Sequence, residues 1–409
     1  MRYQTDFAPQ RLADAPRILR IGAWSLHYQA FSRHAEDGRE PVLMLGGAFQ
    51  SFRSFGAEVQ ELLPHHPVIL LDLPGQGGNL QLAPELSLEQ LADLIAAFAE
   101  ELRLPPLMPI GLSYGSALAA LFAVRHPRCC ARLLLAGITA FGRPGARRML
   151  EEGLDLLAEN QAQRFAQGAL TSLINPLRLE ETGVSQTFRK TLLRQMQRLS
   201  PQEVERYLQN SRRLLDFTGF DRHPGCPTLV LAGEYDHFTQ PWEHAGFAAA
   251  CADADCALIH NGDHLAQFEQ REACASFYRP FLQGAALPLA SPGATRLSRS
   301  RLDHLERRQE PRVAPLNRRG RLRHAEAGEL SVEVCELGFF GGLLQGDLPT
   351  DLPSRGWSLQ AGGLPPLDLL PLRRDGDSLA LMFTHTEATA SDALAAQVGQ
   401  TEIRAFSCA

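Results

Sequence analysis

Residues Ile110–Ser116 read "IGLSYGS", a G-x-S-x-G pentapeptide centred on Ser113. With 34 glycines among 409 residues, chance alone yields such a pentapeptide in roughly one chain of this length in ten, so its surroundings must decide its meaning. Upstream, "PLMPIGLS" is a short apolar run that reads as a strand; downstream, "SALAALFAV" reads as a helix rich in small residues. Strand, tight turn and helix form the setting in which a serine is presented at the end of a sheet as a nucleophile.

A serine hydroxyl is a poor nucleophile until a neighbouring base takes its proton, and that base must itself be oriented by a carboxylate. Chain order supplies both. The strand-like "PTLVLAGEYD" places Asp236 just past its carboxyl end, and "IHNGDHLAQFE" brings His264 in 28 residues later. Glu234 or Asp263 could orient the base instead of Asp236, and His260 could stand in for His264.

Further out, from about residue 18 to 282, strand-like runs alternate with helical patterns, the signature of a mostly parallel sheet covered by helices. "PVLMLGG", "PVILLDLPG", "PLMPIGLS", "RLLLAGIT" and "PTLVLAGEYD" are the clearest strands. Ser87 and Gln90 form a capping box ahead of Leu88, Leu91, Ile95, Phe98 and Leu102, spaced along one helix face. The alternation pauses between about 141 and 225, where the pattern is helical and Ser200-Pro201-Gln202-Glu203 is a strong helix start, which predicts an inserted cap. "GAALPLASPGATRLSRS" has linker composition. After it, "GELSVEVCELGFFGGLL" and "GDSLALMFTHTE" read as antiparallel strands and "ASDALAAQV" as a final helix. The expected organisation is an α/β domain over 1–283, a linker over 284–302 and an all-β domain with a C-terminal helix over 303–409.

The serine, aspartate, histidine order and the strand–turn–helix around Ser113 resemble the α/β-hydrolase family with a helical cap. In that resemblance "LMLGGAFQSF" takes the place of the oxyanion turn, "LDLPGQGGN" that of the next strand and glycine turn, and "GDHLAQFEQ" that of the histidine loop. It implies an oxyanion hole from the backbone N–H groups of Ala48 and Tyr114, and a triad of Ser113, Asp236 and His264 acting on an ester or thioester. Gly46-Gly47 stand where the family often has His-Gly. The stretch from "LMLGGAFQSFRSF" to "LDLPGQG" is also similar to the acyltransferases that join 3-hydroxyacyl chains into the rhamnolipid precursor. The "PGQGG" glycines lack both G-x-G-x-x-G and a Walker lysine, so a family turn explains them better than a phosphate loop.

A second pattern precedes the β segment. In "LERRQEPRVAP", Arg308 and Arg312 stand four apart, and 24 residues past Arg312 comes "ELGFFGG", Glu336 to Gly342. Guanidinium forks can clasp phosphates, pair with guanine O6 and N7, and stack on its face. A solvated basic linker is the plain alternative. The arrangement resembles the PilZ family, small β-barrels that bind cyclic di-GMP through an R-x-x-x-R arm and a [D/N]-x-S-x-x-G turn. Arg308 and Arg312 match the arm and Gly341 the last glycine, while Glu336 replaces aspartate or asparagine and Gly338 replaces serine. The resemblance implies a cyclic di-GMP-sensing module at these five residues.

Composition bounds the rest. A formal charge of -6 argues against a general nucleic-acid or membrane-surface role, although ten arginines fall between Arg296 and Arg323 and the only lysine is Lys190. Eight cysteines at irregular spacings suggest reduced structural thiols, and no motif suggests a metal or a catalytic cofactor. No apolar run approaches the ~20 residues of a membrane helix and the first residues lack a signal-peptide core, so a cytoplasmic protein is expected. The expected activity is serine hydrolysis of a small acyl substrate, with acyl transfer to a hydroxyacyl chain, or an idle domain serving as a signalling adaptor, as rivals.

Overall fold

The computed structural model describes all residues except 140, 141, 308, 309, 311, 316, 408 and 409, and from residue 400 onward it describes backbone only. The chain divides into two compact units, Met1–Gly142 with Leu199–Arg307, and Arg143–Arg198 with Arg308–Ala409.

The first unit is built on strands β1 (Arg17–Ile21), β2 (Trp24–Phe31), β3 (Val42–Leu45), β4 (Val68–Asp72), β5 (Met108–Leu112), β6 (Leu133–Ala136), β7 (Thr228–Gly233), β8 (Ala254–Ile259), β9 (Ala290–Ser291) and β10 (Ala294–Arg296). They form one sheet in the order β1-β2-β4-β3-β5-β6-β7-β8-β10-β9. The stretch from β4 to β8 is parallel, with antiparallel pairs at both edges. Strands β3 to β7 are buried along their whole length, which is why they read as unbroken apolar runs and not as alternation. The connecting helices are α1 (Gly56–Leu62), α2 (Leu88–Glu101) and α3 (Tyr114–Arg125). Ser87 caps α2 through the reciprocal box with Gln90. Chain order reverses around β3, which sets the switch point of the sheet at the carboxyl ends of β3 and β5.

Four helices follow β6 and lie in the second unit: α4 (Pro144–Ala158), α5 (Ala162–Leu173), α6 (Leu179–Thr182) and α7 (Gln186–Gln197). The next helix, α8 (Pro201–Asp216), returns to the first unit, as do α9 (Pro241–Ala250), α10 (Ala266–Glu269) and α11 (Arg271–Leu282). The insertion expected as a single cap over 141–225 is therefore divided, its helices α4–α7 grouped with the C-terminal residues; 140 and 141 lie outside the described residues.

The 284–302 stretch expected to be a linker is largely structured. Ala294 pairs with Ile259 across β10 and β8, Ser276 and Ser291 hydroxyls lie 2.6 Å apart, and Ala294 joins the main core. Its proline and glycine serve a turn at the sheet edge, a use that composition alone does not separate from a linker.

In the second unit, β11 (Arg319–His324), β12 (Gly328–Leu337), β13 (Gly341–Gln345), β14 (Trp357–Ala361), β15 (Leu367–Asp375) and β16 (Ser378–Phe383) close an antiparallel barrel in the order β11-β12-β13-β16-β15-β14, followed by α12 (Ala388–Ser407). Its core holds Leu322, Val334, Phe339, Trp357, Leu359 and Phe383 together with Leu394 and Val398 of α12. Leu177 packs against that core from the segment before α6. Charge links this inserted segment to the C-terminal residues as well. Arg355 meets Glu152, Asp155 and Glu159 at 3.4, 2.8 and 3.1 Å. Arg164 meets Asp368 at 2.7 Å, and Arg178 holds Glu310 through two nitrogens.

Candidate active site

Ser113 sits between β5 and α3 with φ 50 and ψ -119, a conformation that costs an ordinary residue about 1–3 kcal/mol. Neighbouring groups hold it there. Its carbonyl accepts from Ser116 N–H at 2.7 Å and from the Thr139 hydroxyl at 3.1 Å, while its own N–H donates to Ala136 O at 2.9 Å. The two flanking glycines follow from crowding: a Cβ on Gly115 would come 2.2 Å from Leu45 O, and one on Gly111 2.5 Å from Gly115 O. The pentapeptide is thus read out as close approach of α3 to the sheet.

From that turn a hydrogen-bonded chain runs inward. His264 Nε2 lies 3.0 Å from Ser113 Oγ, and His264 Nδ1 lies 2.9 Å from Asp236 Oδ2. Both His264 and Asp236 are buried. An ionised carboxylate can only accept, so Nδ1 carries the proton and Nε2 accepts from the serine hydroxyl. Burial alone would raise the Asp236 carboxyl, but His264, His244 and the Thr239 N–H together hold it below the usual carboxylate range. It stays a carboxylate facing the imidazole.

Both alternative acids are engaged elsewhere. Glu234 accepts from Asn261 N–H at 3.0 Å and lies 3.4 Å from His260, and Asp263 accepts from the His264 backbone N–H at 2.8 Å. His260 Nε2 is 2.9 Å from Thr295 Oγ1, at the sheet edge with β10. The structure therefore brings together Ser113, His264 and Asp236, and places Glu234, Asp263 and His260 in other hydrogen bonds.

Several groups of this site carry no motif. The Thr239 hydroxyl donates to Asp236 Oδ2 and its N–H to Oδ1, both at 2.8 Å, so the carboxylate is gripped on two sides. Asp-x-x-Thr at a strand end is a turn signal that could have singled it out. His244, wholly buried, accepts from Ile138 N–H at 3.0 Å and donates to Gln240 O at 3.1 Å; with both nitrogens engaged, burial keeps it neutral. Behind the histidine loop, Glu269 accepts from Asp263 N–H at 2.7 Å and burial pushes its carboxyl up to about 7.

Near the oxyanion turn, a Cβ on Gly47 would lie 3.1 Å from Ser113 Cβ, so this loop abuts the serine. Gly47 N–H is occupied by Gln50 Oε1 at 2.6 Å. Ala48 is the next residue, and Tyr114 is the first of α3, its side chain buried. The "PGQGG" turn and the segment after it are tied down by α8. Asn210 donates to Gly75 O at 2.7 Å, Arg206 to Gly77 O, Arg213 to Leu86 O at 2.7 Å, and Gln209 accepts from Ala83 N–H at 2.9 Å. Asp72, at the end of β4, accepts from Gly78 N–H at 2.8 Å, and its burial pushes it up to about 7 against the opposing pull of that bond and Arg206.

Residues 40–270 match the family described as alpha/beta hydrolase fold. The chain belongs to the α/β-hydrolase fold family. Among curated relatives it is 23% identical over 307 residues to an (R)-3-hydroxydecanoyl-ACP:CoA transacylase of Pseudomonas aeruginosa, across 66% of this chain and 95% of that one. It is 26% identical over 281 residues to a 2-hydroxy-6-oxononadienedioate/2-hydroxy-6-oxononatrienedioate hydrolase of Pseudomonas putida, across 66% and 97%. Among solved structures, the α/β hydrolase MGS-M2 from a deep-sea metagenome superposes with TM-score 0.57 at 16% identity, covering 66% of this chain and 99% of that one. This last likeness speaks to the fold alone.

In the barrel unit, Glu336 lies on β12 and Arg312 reaches it at 3.2 Å, both side chains about 40% exposed (40% and 39%). Val313 bridges Leu337, so the arm runs alongside the strand that enters the turn. Gly338 N–H donates to Gly341 O at 2.8 Å, closing that turn, and Gly341 pairs with Met382. Arg308 lies outside the described residues. Among the described residues no cluster of three or more His, Cys, Asp or Glu is placed to hold a metal, and no helix is long and apolar enough to cross a membrane.

Proposed function

We propose that the chain is a serine-dependent acyl hydrolase acting on an ester or thioester. The observation that carries this reading is the unbroken Ser113–His264–Asp236 chain at 3.0 and 2.9 Å. In the proposed reaction His264 Nε2 takes the Ser113 proton as Oγ attacks the acyl carbonyl. Asp236 holds the imidazole tautomer and balances the imidazolium that forms. The developing oxyanion is received by the N–H groups of Ala48 and Tyr114, at the positively polarised start of α3. His264 then returns its proton to the leaving alkoxide or thiolate, and a water repeats the sequence on the acyl-enzyme. No catalytic cofactor enters these steps.

A second reading, acyl transfer to a hydroxyl or thiol acceptor, is favoured by the likeness to the transacylase, of which the chain spans 95%. It differs only in what reaches the acyl-enzyme. Incubation with esters, acyl-CoAs and hydroxyacyl-carrier proteins, with products identified by mass spectrometry, separates the two. Free acid supports hydrolysis, and a new acyl ester or thioester supports transfer. Absence of product together with failure of a fluorophosphonate to label Ser113 would overturn both in favour of an idle adaptor.

We further propose that the barrel unit senses cyclic di-GMP through Arg308, Arg312 and the turn Glu336, Gly338 and Gly341. The exposed Arg312–Glu336 pair beside this turn supports it, because a surface ion pair worth about 0–1 kcal/mol yields readily to a doubly charged ligand. Calorimetric titration of the full chain with cyclic di-GMP tests it, and no heat at high micromolar ligand would overturn it.

A further inference from the structure

The triad uses no thiol, yet two cysteines face each other. Cys130 Sγ lies 3.6 Å from Cys226 Sγ, although 96 residues separate them in sequence. Cys130 precedes β6 and Cys226 precedes β7, and these neighbouring parallel strands are in register from Leu133 and Thr228 onward. The pair therefore marks the amino ends of two adjacent strands, whereas Asp236 follows the carboxyl end of β7. Cys130 is 5% exposed and Cys226 is partly exposed, so one thiol meets solvent while its partner waits behind it. Cys130 also lies 3.5 Å from Arg132 O.

The two sulfurs have different acid–base character. The hydrogen bond between them, aided by Thr228, holds the Cys226 thiol below the usual range, while the same contact and burial push Cys130 well above it. A partly exposed thiol held below its usual range, 3.6 Å from a buried second thiol, is the arrangement from which thiol oxidation proceeds to a disulfide instead of stopping at sulfenic acid.

We propose that Cys130 and Cys226 form a reversible redox pair, oxidised to a disulfide by hydroperoxides. The Cys226 thiolate attacks one peroxide oxygen; the O–O bond breaks, the departing hydroxide takes a proton as water, and Cys226 carries S–OH. Cys130 then gives up its proton and attacks the Cys226 sulfur. The S–S bond forms, the S–O bond breaks, and the hydroxide leaves as water with that proton. Two electrons pass from the thiols to hydrogen peroxide, and two waters leave. The closed ring spans the entire insertion between β6 and β7, so the unfolded chain loses freedom and the oxidised protein melts higher. Because the pair lies at the opposite strand ends from Asp236, Ser113 labelling is expected to stay unchanged on oxidation.

The test treats the full chain with hydrogen peroxide, blocks remaining thiols with N-ethylmaleimide and maps peptides by mass spectrometry. The expected product is a cross-linked peptide joining Cys130 to Cys226, two hydrogens lighter than the reduced pair and reversed by dithiothreitol. Cys130→Ser is expected to leave a sulfenic acid at Cys226 that dimedone traps, and Cys226→Ser to give no cross-link through Cys130. Both thiols remaining open to N-ethylmaleimide after oxidation in the wild type would overturn the proposal. So would cross-links from Cys226 to Cys129 or Cys251 in place of Cys130.

Discussion

His264 with Asp236 and Arg312 with Glu336 are both pairs of a basic and an acidic side chain, at 2.9 and 3.2 Å, but 1% of the first pair's side chains is exposed against 40% and 39% in the second. The buried pair is fixed on both partners: Thr239 grips the carboxylate, and Asp263, held by Glu269, grips the histidine backbone. Desolvation makes its geometry costly to leave and available without rearrangement, which suits chemistry. The exposed pair gains little from its own contact and gives up little on exchanging it, which suits capture of a ligand. The first pair is locked by its neighbours, and the second is exposed to solvent.

The largest effect is expected at the buried chain. His264→Ala should lower acyl turnover by about 10³–10⁶, and Asp236→Asn by about 10⁴, with circular dichroism unchanged. Rates within tenfold of wild type for His264→Ala would break the contrast at its first term, since a buried pair without a role in turnover would be only structural.

A chain ending at Arg307 tests what holds the inserted helices. Helices α4–α7 lean on barrel groups, among them Arg355, Asp368, Glu310 and the core joined by Leu177. Without these partners their amides are expected to lose most hydrogen-exchange protection, while β3–β7 keep theirs. Retained protection in 144–197 would show that the four helices carry a sufficient core of their own.

These outcomes bear on what the sequence discloses. The parallel strands were legible because burial on both faces leaves continuous apolar runs, and Ser113 and Asp236 because each ends or follows such a run, with His264 after them in a fixed chain order. The face of α8 made by Arg206, Gln209, Asn210 and Arg213 was not, because a polar stripe at helical spacing reads as solvent-facing. Here those side chains are buried against backbone groups, Arg206 and Asn210 on the "PGQGG" loop and Gln209 and Arg213 on Ala83 and Leu86 just after it. The division of the insertion was equally hidden: leucines at helical spacing in α4 and α5 announce a buried face without saying which domain buries it. The strands inside 284–302 are too short for periodicity to register.

Smaller effects should come from groups that act through others. Thr239→Val removes one hydroxyl from Asp236 and is expected to lower kcat about ten- to a hundredfold with KM nearly unchanged, and Thr239→Ser to restore most of it. An equal rise in KM would show that Thr239 shapes the site and does not merely orient the carboxylate. Arg312→Ala is expected to weaken cyclic di-GMP by roughly tenfold or more, read by calorimetry, with acyl turnover measured without ligand left in place. An unchanged dissociation constant would mean that the exposed pair is an ordinary surface contact.

The last contrast concerns protons, and the two units should answer in opposite senses. In the barrel, His385 is buried with its ring stacked 4.2 Å from Phe339 and its Nδ1 3.1 Å from Ser391 Oγ. Burial holds it down at about 3, against an ordinary value of 6.5. Between those values the unfolded chain binds a proton that the folded barrel refuses, so this contribution is complete above about pH 6.5 and is lost as pH falls toward 3, by at most about 1.4 kcal/mol per pH unit. Asp72 in the sheet unit runs the other way: raised from 3.8 to about 7, it favours the folded state below pH 3.8 and loses that contribution as pH climbs through 7. Pulse proteolysis in urea between pH 4.5 and 6.5, with cleavage followed separately in β11–β16 and β3–β7, reads both slopes. His385→Gln should flatten the barrel's dependence and leave the sheet's alone, and Asp72→Asn should do the reverse. A barrel slope that survives His385→Gln would assign the titration to other groups, and with it the claim that burying an uncharged imidazole is what ties the barrel to near-neutral pH.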